Sequence, residues 1–479
     1  MTRVFAIPAL LLALLGLAVA LTQLSTDTFT NNTSQHMTEV EPDSFAFGST
    51  VVMAFQTGRI QDGGSADIGF ATSTNGGATW TNGFLPGITQ FFMGGIYTAV
   101  SDPAVAFDAA HGQWMISSLA ITNAIGKAVL VSRSPDGVTW SNPVTVNNQN
   151  GFADKSWIAC DNTSSSPFFG HCYVEWDDAG SGDQVKMSVS TDGGVTWGAA
   201  NTSSGAFSLG GQPVVMPNGT VVVPLEGVIA FTSTNGGVSW NKAVTVASTV
   251  DHGVAGGLRT SPLPSAEVDG AGKVYVVWQD CRFRSGCKAN DIVMSTSTDG
   301  KTWTAPARIP IDPLTSTADH FIPGIAVDPA TSGSTAHLGL TFYFYTNTSC
   351  TASTCKLGVG FISSKDGGAT WSKPLKIAGP MNLSWLANTT QGRMVGDYIS
   401  TSYVNGKAFG IFAKAVAPTG GVFNEAMFTP TTGLNTASEF EQTFSAANDK
   451  PVPNAHSDHG PRQFYDQEGR IPIPPQKQQ

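Results

Sequence analysis

The stretch STDGGVTW, Ser190–Trp197, has five near-copies along the chain. STNGGATW begins at Ser73, SPDGVTW at Ser134, STNGGVSW at Ser233, STDGKTW at Ser297 and SKDGGATW at Ser364. Successive copies lie 43 to 67 residues apart, the scale of one four-stranded unit in a repeat protein. Each follows an alternating run such as DIGFATS (Asp67–Ser73) or VKMSVS (Val185–Ser190), so each reads as a β-hairpin. Asp or Asn accepts backbone N–H bonds across the turn, Gly supplies positive φ, and Trp covers the hairpin end.

A second signal lies upstream of each hairpin. EPDSFAF (from Glu41), DPAVAFD (Asp102), DKSWIACD (Asp154) and GQPVVMP (Gly211) share a polar-then-apolar strand start. SPLPSAEVD (Ser261), HFIPGIAVD (His320) and GDYISTSYV (Gly396) do the same. Seven starts against six hairpins predict an all-β chain: a β-propeller of seven four-stranded antiparallel blades, the last without the hairpin motif. Six blades is the alternative, with the C-terminal segment only capping the ring. An N-terminal strand over about 24–33 would complete the last blade.

The predicted organisation is a signal peptide over 1–20, an N-terminal segment over 21–38, the propeller over 39–430 and a flexible tail over 431–479. The opening MTRVFAIPALLLALLGLAVALTQ has an early Arg, an apolar run and an Ala18-Val19-Ala20 cleavage pattern. It implies export, to the periplasm or outside the cell, with no membrane span after cleavage. After about Pro430 the chain turns rich in Pro, Gln and charge. Six cysteines fall into close pairs, Cys160/Cys172, Cys281/Cys287 and Cys350/Cys355, and local disulfides are expected. Only 13% of the 479 residues are charged and the net charge is −10, which argues against a nucleic-acid partner.

The repeated S-x-D-x-G-x-T-W pattern resembles the Asp-box (BNR repeat) of the sialidase superfamily, over roughly 39–430. The resemblance implies a glycoside hydrolase that removes a terminal acidic sugar from glycans with retaining chemistry. It implies an Arg clamp for the sugar carboxylate, a Tyr nucleophile activated by Glu, and an Asp acid. QTGRIQDGGSADIGF is similar to the family's second-strand Arg and acidic loop, which makes Arg59 a ligand and Asp62, or alternatively Asp67, the acid. WQDCRFRSGCKAND repeats that order with Asp280, Arg282 and Arg284. GRMVGDYIS places Arg393 five residues before Tyr398, similar to the late Arg and Tyr of sialidases. The assignment is Arg259, Arg282 and Arg393 as clamp, Tyr398 as nucleophile, Asp62 as acid, and Glu226 or Glu175 as base. The family's F/Y-R-I-P motif is missing from the first blade; ARIPI (Ala307–Ile311) follows the fifth repeat instead.

Independently of that resemblance, the strand starts would ring one mouth of the channel. Glu41, Asp102, Asp154, Lys155, Arg259, Asp319, His320, Asp397 and Tyr398 would then crowd together. No cofactor and no metal ligands are assigned, although so acidic a ring would favour a structural Ca²⁺. A non-catalytic propeller binding glycan or protein at that mouth is the alternative function. A monomer is expected.

Overall fold

The computed structural model describes residues 18–148, 151–436, 445–453 and 455–457. The signal-peptide segment lies outside them up to residue 17, as does most of the C-terminal tail. Among the described residues, helical structure is limited to three-residue 3₁₀ turns. None of their helices is long and apolar enough to cross a membrane.

The strands fall into successive antiparallel sets. The first is Ser34–Phe47, Thr50–Ile60, Ser65–Ser73 and Thr81–Phe84; the second is Ala99–Asp108, Gln113–Thr122, Ile125–Ser134 and Val144–Asn147. The third is Ala153–Cys160, Cys172–Asp178 and Gln184–Ser190, its edge finished by bridges to Asn201 and Phe207. The fourth is Val214–Val215, Val221–Leu225, Ile229–Ser233 and Val244–Thr245; the fifth is Ser265–Val268, Val274–Asp280, Asp291–Ser297 and Ala307–Arg308. The sixth is Asp319–Val327, Leu338–Tyr345, Lys356–Ser364 and Leu375–Asn382. The seventh is Ser400–Val404, Lys407–Ala415 and Glu425–Pro430, edged by Leu21–Gln23 from the N-terminal segment. That edge strand begins three residues before the predicted one. It pairs Leu21 with Pro430 and Gln23 with Phe428.

The six repeated turns share one hydrogen-bond network. Each leading Ser Oγ donates to Oδ1 of the Asp or Asn two residues on, at 2.8–3.0 Å. The same Oγ accepts from the amide of the last Gly, at 2.8–3.0 Å. Oδ1 also accepts from the Thr or Ser amide, at 2.7–3.0 Å. Each bond adds about 1 kcal/mol net, and together they fix the turn.

The last Gly of each turn has a second duty that the sequence did not reveal. A Cβ there would come within 2.3–2.8 Å of a side chain from the preceding set. Gly137 faces Val52, Gly194 Met115, Gly237 Val189, Gly300 Val222 and Gly368 Met294. Gly77 of the first set faces Phe409 of the seventh. The core accordingly lies in layers between neighbouring sets. Val52, Ile68 and Phe70 pack with Trp114, Ile116 and Trp140, and Tyr275 and Val277 pack with Leu340, Phe342 and Trp371.

The first strands are laced together by side chains that cap a neighbour's backbone. The Val105 amide donates to Asp43, Lys155 to Asp102, Ala266 to Gln212 and Ile325 to Ser265, at 2.7–3.1 Å. Thr401 Oγ1 donates to the Gly324 carbonyl at 2.8 Å, and the Ser44 amide donates to Ser400 Oγ at 3.1 Å. Disulfides join Cys160–Cys172, Cys281–Cys287 and Cys350–Cys355 as the spacing predicted. The predicted tail starts too early, because Leu434–Asn435 still pairs with Lys407 and Ala408 of the seventh set. Residues 445–453 lie on the fifth set, where Asp449 pairs with Arg308 at 3.0 Å and the Val452 amide donates to the Arg282 carbonyl at 2.8 Å.

Candidate functional site

The polar strand starts contain a repeated backbone device. In the first strands of the first, second, third and sixth sets, the register slips between Val40 and Asp43, Ser101 and Ala104, Asp154 and Trp157, and Phe321 and Pro323. Within the slips, Glu41, Asp102, Lys155 and Ile322 take left-handed φ of 62°, 49°, 50° and 49°. These are β-bulges, which bend a strand and re-aim a side chain. A left-handed non-glycine residue costs about 1–2 kcal/mol, and three of the four are charged.

The bulges and the segment before the seventh set bring one ionic group together. Arg259 grips Asp397 at two points, Nε to Oδ1 at 2.8 Å and Nη2 to Oδ2 at 2.5 Å. The Lys155 ammonium donates to the same Oδ2. Glu41 accepts from the Asp397 amide at 3.2 Å through Oε1 and from the Gln56 side chain through Oε2. All four charged groups are buried. Burial alone would raise Asp397, but Arg259 and then Lys155 hold its carboxyl far below the usual range. Burial would depress the Lys155 ammonium, yet Asp397, Asp102 and Glu41 push it above its ordinary value. Burial pushes Glu41 up to about 7, against the opposing pull of Lys155.

Beside this group two aromatic rings meet edge to face. Trp157 and Tyr398 have centroids 4.9 Å apart and an interplanar angle of 73°. The Tyr398 hydroxyl donates to the Pro103 carbonyl at 3.1 Å. Burial, then the charges of Glu41 and Asp102, lift its phenol well above the normal range. A cavity of about 470 Å³, counting the space open to solvent, is lined by Trp157, Tyr398, Lys155, Asp397, Gln212 and Leu263. A larger one of about 1060 Å³ on the same count is lined by residues from all seven first strands, Asp43 and Glu267 among them. Burial pushes Asp43 up to about 7, and burial together with the Asp43 charge pushes Glu267 to about 8.

The structure unites some of the predicted residues and parts others. Arg59, Arg259 and Arg393 gather around residues 386–397. Arg59 Nε reaches Met394 Sδ at 3.4 Å, Arg393 Nη1 donates to the Leu386 carbonyl at 2.8 Å, and the Arg259 amide donates to the Arg393 carbonyl at 2.7 Å. Of these, Arg259 is the one seen bound to Asp397. Arg282 is paired with Asp280, at 2.6 and 2.8 Å, inside the Cys281–Cys287 loop of the fifth set. Arg284 binds Asp291 and Asp312. Asp62 is exposed on the turn before Ser65, whereas Asp67 is buried. Glu226 is buried in the turn after Leu225, and Glu175 packs against Gly211. Trp157 and Gln212 were not singled out from the sequence. Both sit inside quoted strand starts, and the aromatic two residues after the Lys155 bulge was the available signal.

Asp291, Asp312 and His320 bring three ligand-type atoms within 4.8 Å of one another. Arg284 and Arg308 already neutralise both carboxylates, so this group is an ion-pair network.

No protein-family model and no curated protein matches the chain. Solved structures do. An ulvan lyase, described as a new family of polysaccharide lyase and bound to -[GlcA(1-4)Rha3S]-, aligns over 90% of this chain and 100% of its own, at 11% identity and a TM-score of 0.51. The structural neighbours include sialidases. One from Trypanosoma rangeli aligns over 86% of this chain and 59% of its own, at 13% identity and a TM-score of 0.42. One from Streptococcus pneumoniae aligns over 85% and 70%, at 12% identity and a TM-score of 0.41. At such identity the lyase shares the fold, and nothing finer follows from it.

Proposed function

We propose that the seven strand sets close as a seven-bladed propeller, and that its Trp157–Tyr398 mouth binds a glycan. Three observations support closure: the glycine contacts link the seventh set to the first and each set on to the sixth, the backbone lacing adds the sixth to the seventh and again joins the first to the seventh, and one cavity is lined from every first strand. Export is supported by the Ala18-Val19-Ala20 pattern and by three disulfides, which persist in oxidising compartments.

The glycan reading rests on the Trp157–Tyr398 pair, mostly but not wholly buried, beside a cavity that also presents Lys155, Asp397 and Gln212. The apolar face of a sugar ring packs on an aromatic face, while its hydroxyls need fixed donors and acceptors. Lys155 and Arg259 are bound to Asp397, so an acidic sugar would have to share those cations with that carboxylate. The test is calorimetric titration of the purified chain with sialyllactose, a uronate disaccharide and lactose. Binding that is lost in Trp157→Ala supports the mouth. Binding that survives there unchanged removes it.

Hydrolysis of a terminal acidic sugar is the second reading, favoured by one observation. Glu41 holds its proton to about 7 next to an ionised Asp397, and acid–base chemistry uses carboxyls separated in this way. The hydroxyl of Tyr398 donates to a carbonyl and not to a carboxylate, so this reading gives the proton chemistry to Glu41. Release of 4-methylumbelliferone from a sialoside, abolished in Glu41→Gln, tests it.

A further inference from the structure

The loop that joins the first set to the second is apolar and open to water. It leaves Thr81–Phe84 and enters Ala99–Asp108 at the end where Asp102 lies. Ile96 is 77% exposed and Met93 70%; among the described residues, Val238 is the one large apolar side chain more open than either. Phe91, Phe92 and Tyr97 beside them are half-buried. Residues 68–101 contain no charged side chain, and the carboxyl groups that bound this stretch, Asp67 and Asp102, are completely buried.

The knob is held in shape from within. Phe92 packs edge-on against Phe84 and Phe29, with ring centroids 5.6 and 6.5 Å away. The Ile96 and Tyr97 amides both donate to the Ile88 carbonyl, at 3.1 and 3.2 Å, and the Gln90 amide donates to the Tyr97 carbonyl at 2.9 Å. Thr89 Oγ1 ties the base to the Ala66 carbonyl at 2.6 Å. At the tip, Met93 and Gly94 turn the chain through left-handed φ of 48° and 77°. That conformation is uncommon at Met and is imposed by its surroundings. Gly95 lies so close to Ile88 that a Cβ would come within 2.2 Å of the carbonyl carbon. Phe92 thus packs inward while Met93 and Ile96 face water.

Apolar patches that a monomer leaves in water mark interaction sites. Two properties say what covers this one. It is small: two open side chains and the edges of three rings belong to the class of roughly 300–600 Å² patches, short of the about 800 Å² per partner that a stable protein interface buries. A lipid surface sets no such threshold, because binding to it scales with whatever apolar area enters the interface. The knob is also uncharged, on a chain of net charge −10. Its match is a surface without net charge, since an anionic one would repel the chain.

We propose that the 91–97 knob inserts Met93 and Ile96 into a lipid surface of zwitterionic headgroups and holds the mouth side of the chain toward it. Phe91 and Tyr97 would sit at the headgroup level, where aromatic rings are favoured. The proposal is independent of the glycan reading.

The test is co-sedimentation with phosphatidylcholine vesicles and with vesicles rich in phosphatidylserine. It uses the chain from Leu21 onward, the form that cleavage after Ala20 leaves, so that the apolar opening segment does not bind lipid itself. Wild type should sediment with phosphatidylcholine and less with phosphatidylserine. Met93→Asp combined with Ile96→Asp should lower the bound fraction at least about tenfold, because two aliphatic side chains no longer leave water. The melting midpoint should not change, since both side chains are exposed in the folded chain. If that variant does not fold, the pair Met93→Ser and Ile96→Ser is read the same way. Wild type that stays in solution with phosphatidylcholine overturns the proposal, as does a double variant that sediments like wild type or a preference for phosphatidylserine. Sedimentation velocity without lipid covers the other occupant: a dimer that the same two substitutions dissolve gives the knob to a second copy and overturns the lipid assignment.

Discussion

Arg259 and Asp397, 138 positions apart, form a two-point ion pair with both partners almost completely removed from water. Lys155 approaches Asp397 from the third set, so one carboxylate ties together three distant parts of the chain. Removing one partner of a buried pair leaves an uncompensated charge, which costs about 3–5 kcal/mol. Arg259→Ala should therefore lower unfolding free energy by that amount in urea titration. Asp397→Asn should cost less in the Arg259→Ala background than alone, because the two share one interaction. Strictly additive losses would show that the pair contributes no coupling.

The aromatic pair predicts a split between two variants. Tyr398→Phe keeps the ring beside Trp157 and loses one hydrogen bond to the Pro103 carbonyl. Stability should fall by about 1 kcal/mol and glycan affinity should change little. Trp157→Ala removes the stacking face and should weaken binding at least about tenfold, or 1.4 kcal/mol. Equal losses in both variants would mean that the Tyr398 hydroxyl itself contacts the ligand.

How much of this was legible in the sequence depends on the range of the interaction. The turn network is local, closed within seven or eight residues, and its Ser, Asp and Gly were readable at once. The disulfides are also local and were paired correctly from spacing. The strand starts were recognised as polar, and the crowding of Glu41, Lys155, Arg259 and Asp397 follows from their places in successive sets. The bulges were not foreseen. A left-handed residue before proline, as at Glu41-Pro42 and Asp102-Pro103, runs against local preference and is imposed by the neighbouring strand. The resemblance to sialidases drew attention to Arg282 through its neighbours in sequence, but Asp280 two residues away had already claimed that guanidinium. Trp157 was hidden because one aromatic in a strand is ordinary until the seventh set places Tyr398 against it.

Several buried carboxyls make stability depend on pH in a stated direction. Burial pushes Asp43 and Glu41 to about 7, and burial with the Asp27 charge pushes Glu39 to about 8. The unfolded chain releases those protons near pH 4. Between about pH 4.5 and 8 the folded chain thus binds more protons, and stability falls as pH rises. His320 opposes this: burial lowers its imidazole, so folding sheds a proton below about pH 6.5. One histidine is outweighed by three carboxyls. Asp397 and Asp299, held low, are ionised throughout this window and leave the slope unchanged. The melting midpoint in EDTA should be higher at pH 5 than at pH 8. A flat or rising profile would mean that these carboxyls are ionised and paired.

Closure of the ring can be tested at a single glycine. Gly77 takes φ +85°, and a Cβ there would lie 2.3 Å from Phe409 Cζ in the seventh set. Gly48 takes φ +60° in the turn between the first two strands of the first set, with nothing within 4 Å of a Cβ. Gly48→Ala incurs only the left-handed strain, about 1 kcal/mol. Gly77→Ala incurs the same strain and forces overpacking against an aromatic ring, about 1–3 kcal/mol more. Chemical denaturation of the two variants isolates the second contribution, since the backbone cost is common to both. Gly77→Ala should also restore part of its loss when combined with Phe409→Leu, which clears space across the junction. If Gly77→Ala costs no more than Gly48→Ala, Phe409 does not sit against that turn, and the contact joining the first set to the seventh is absent in solution.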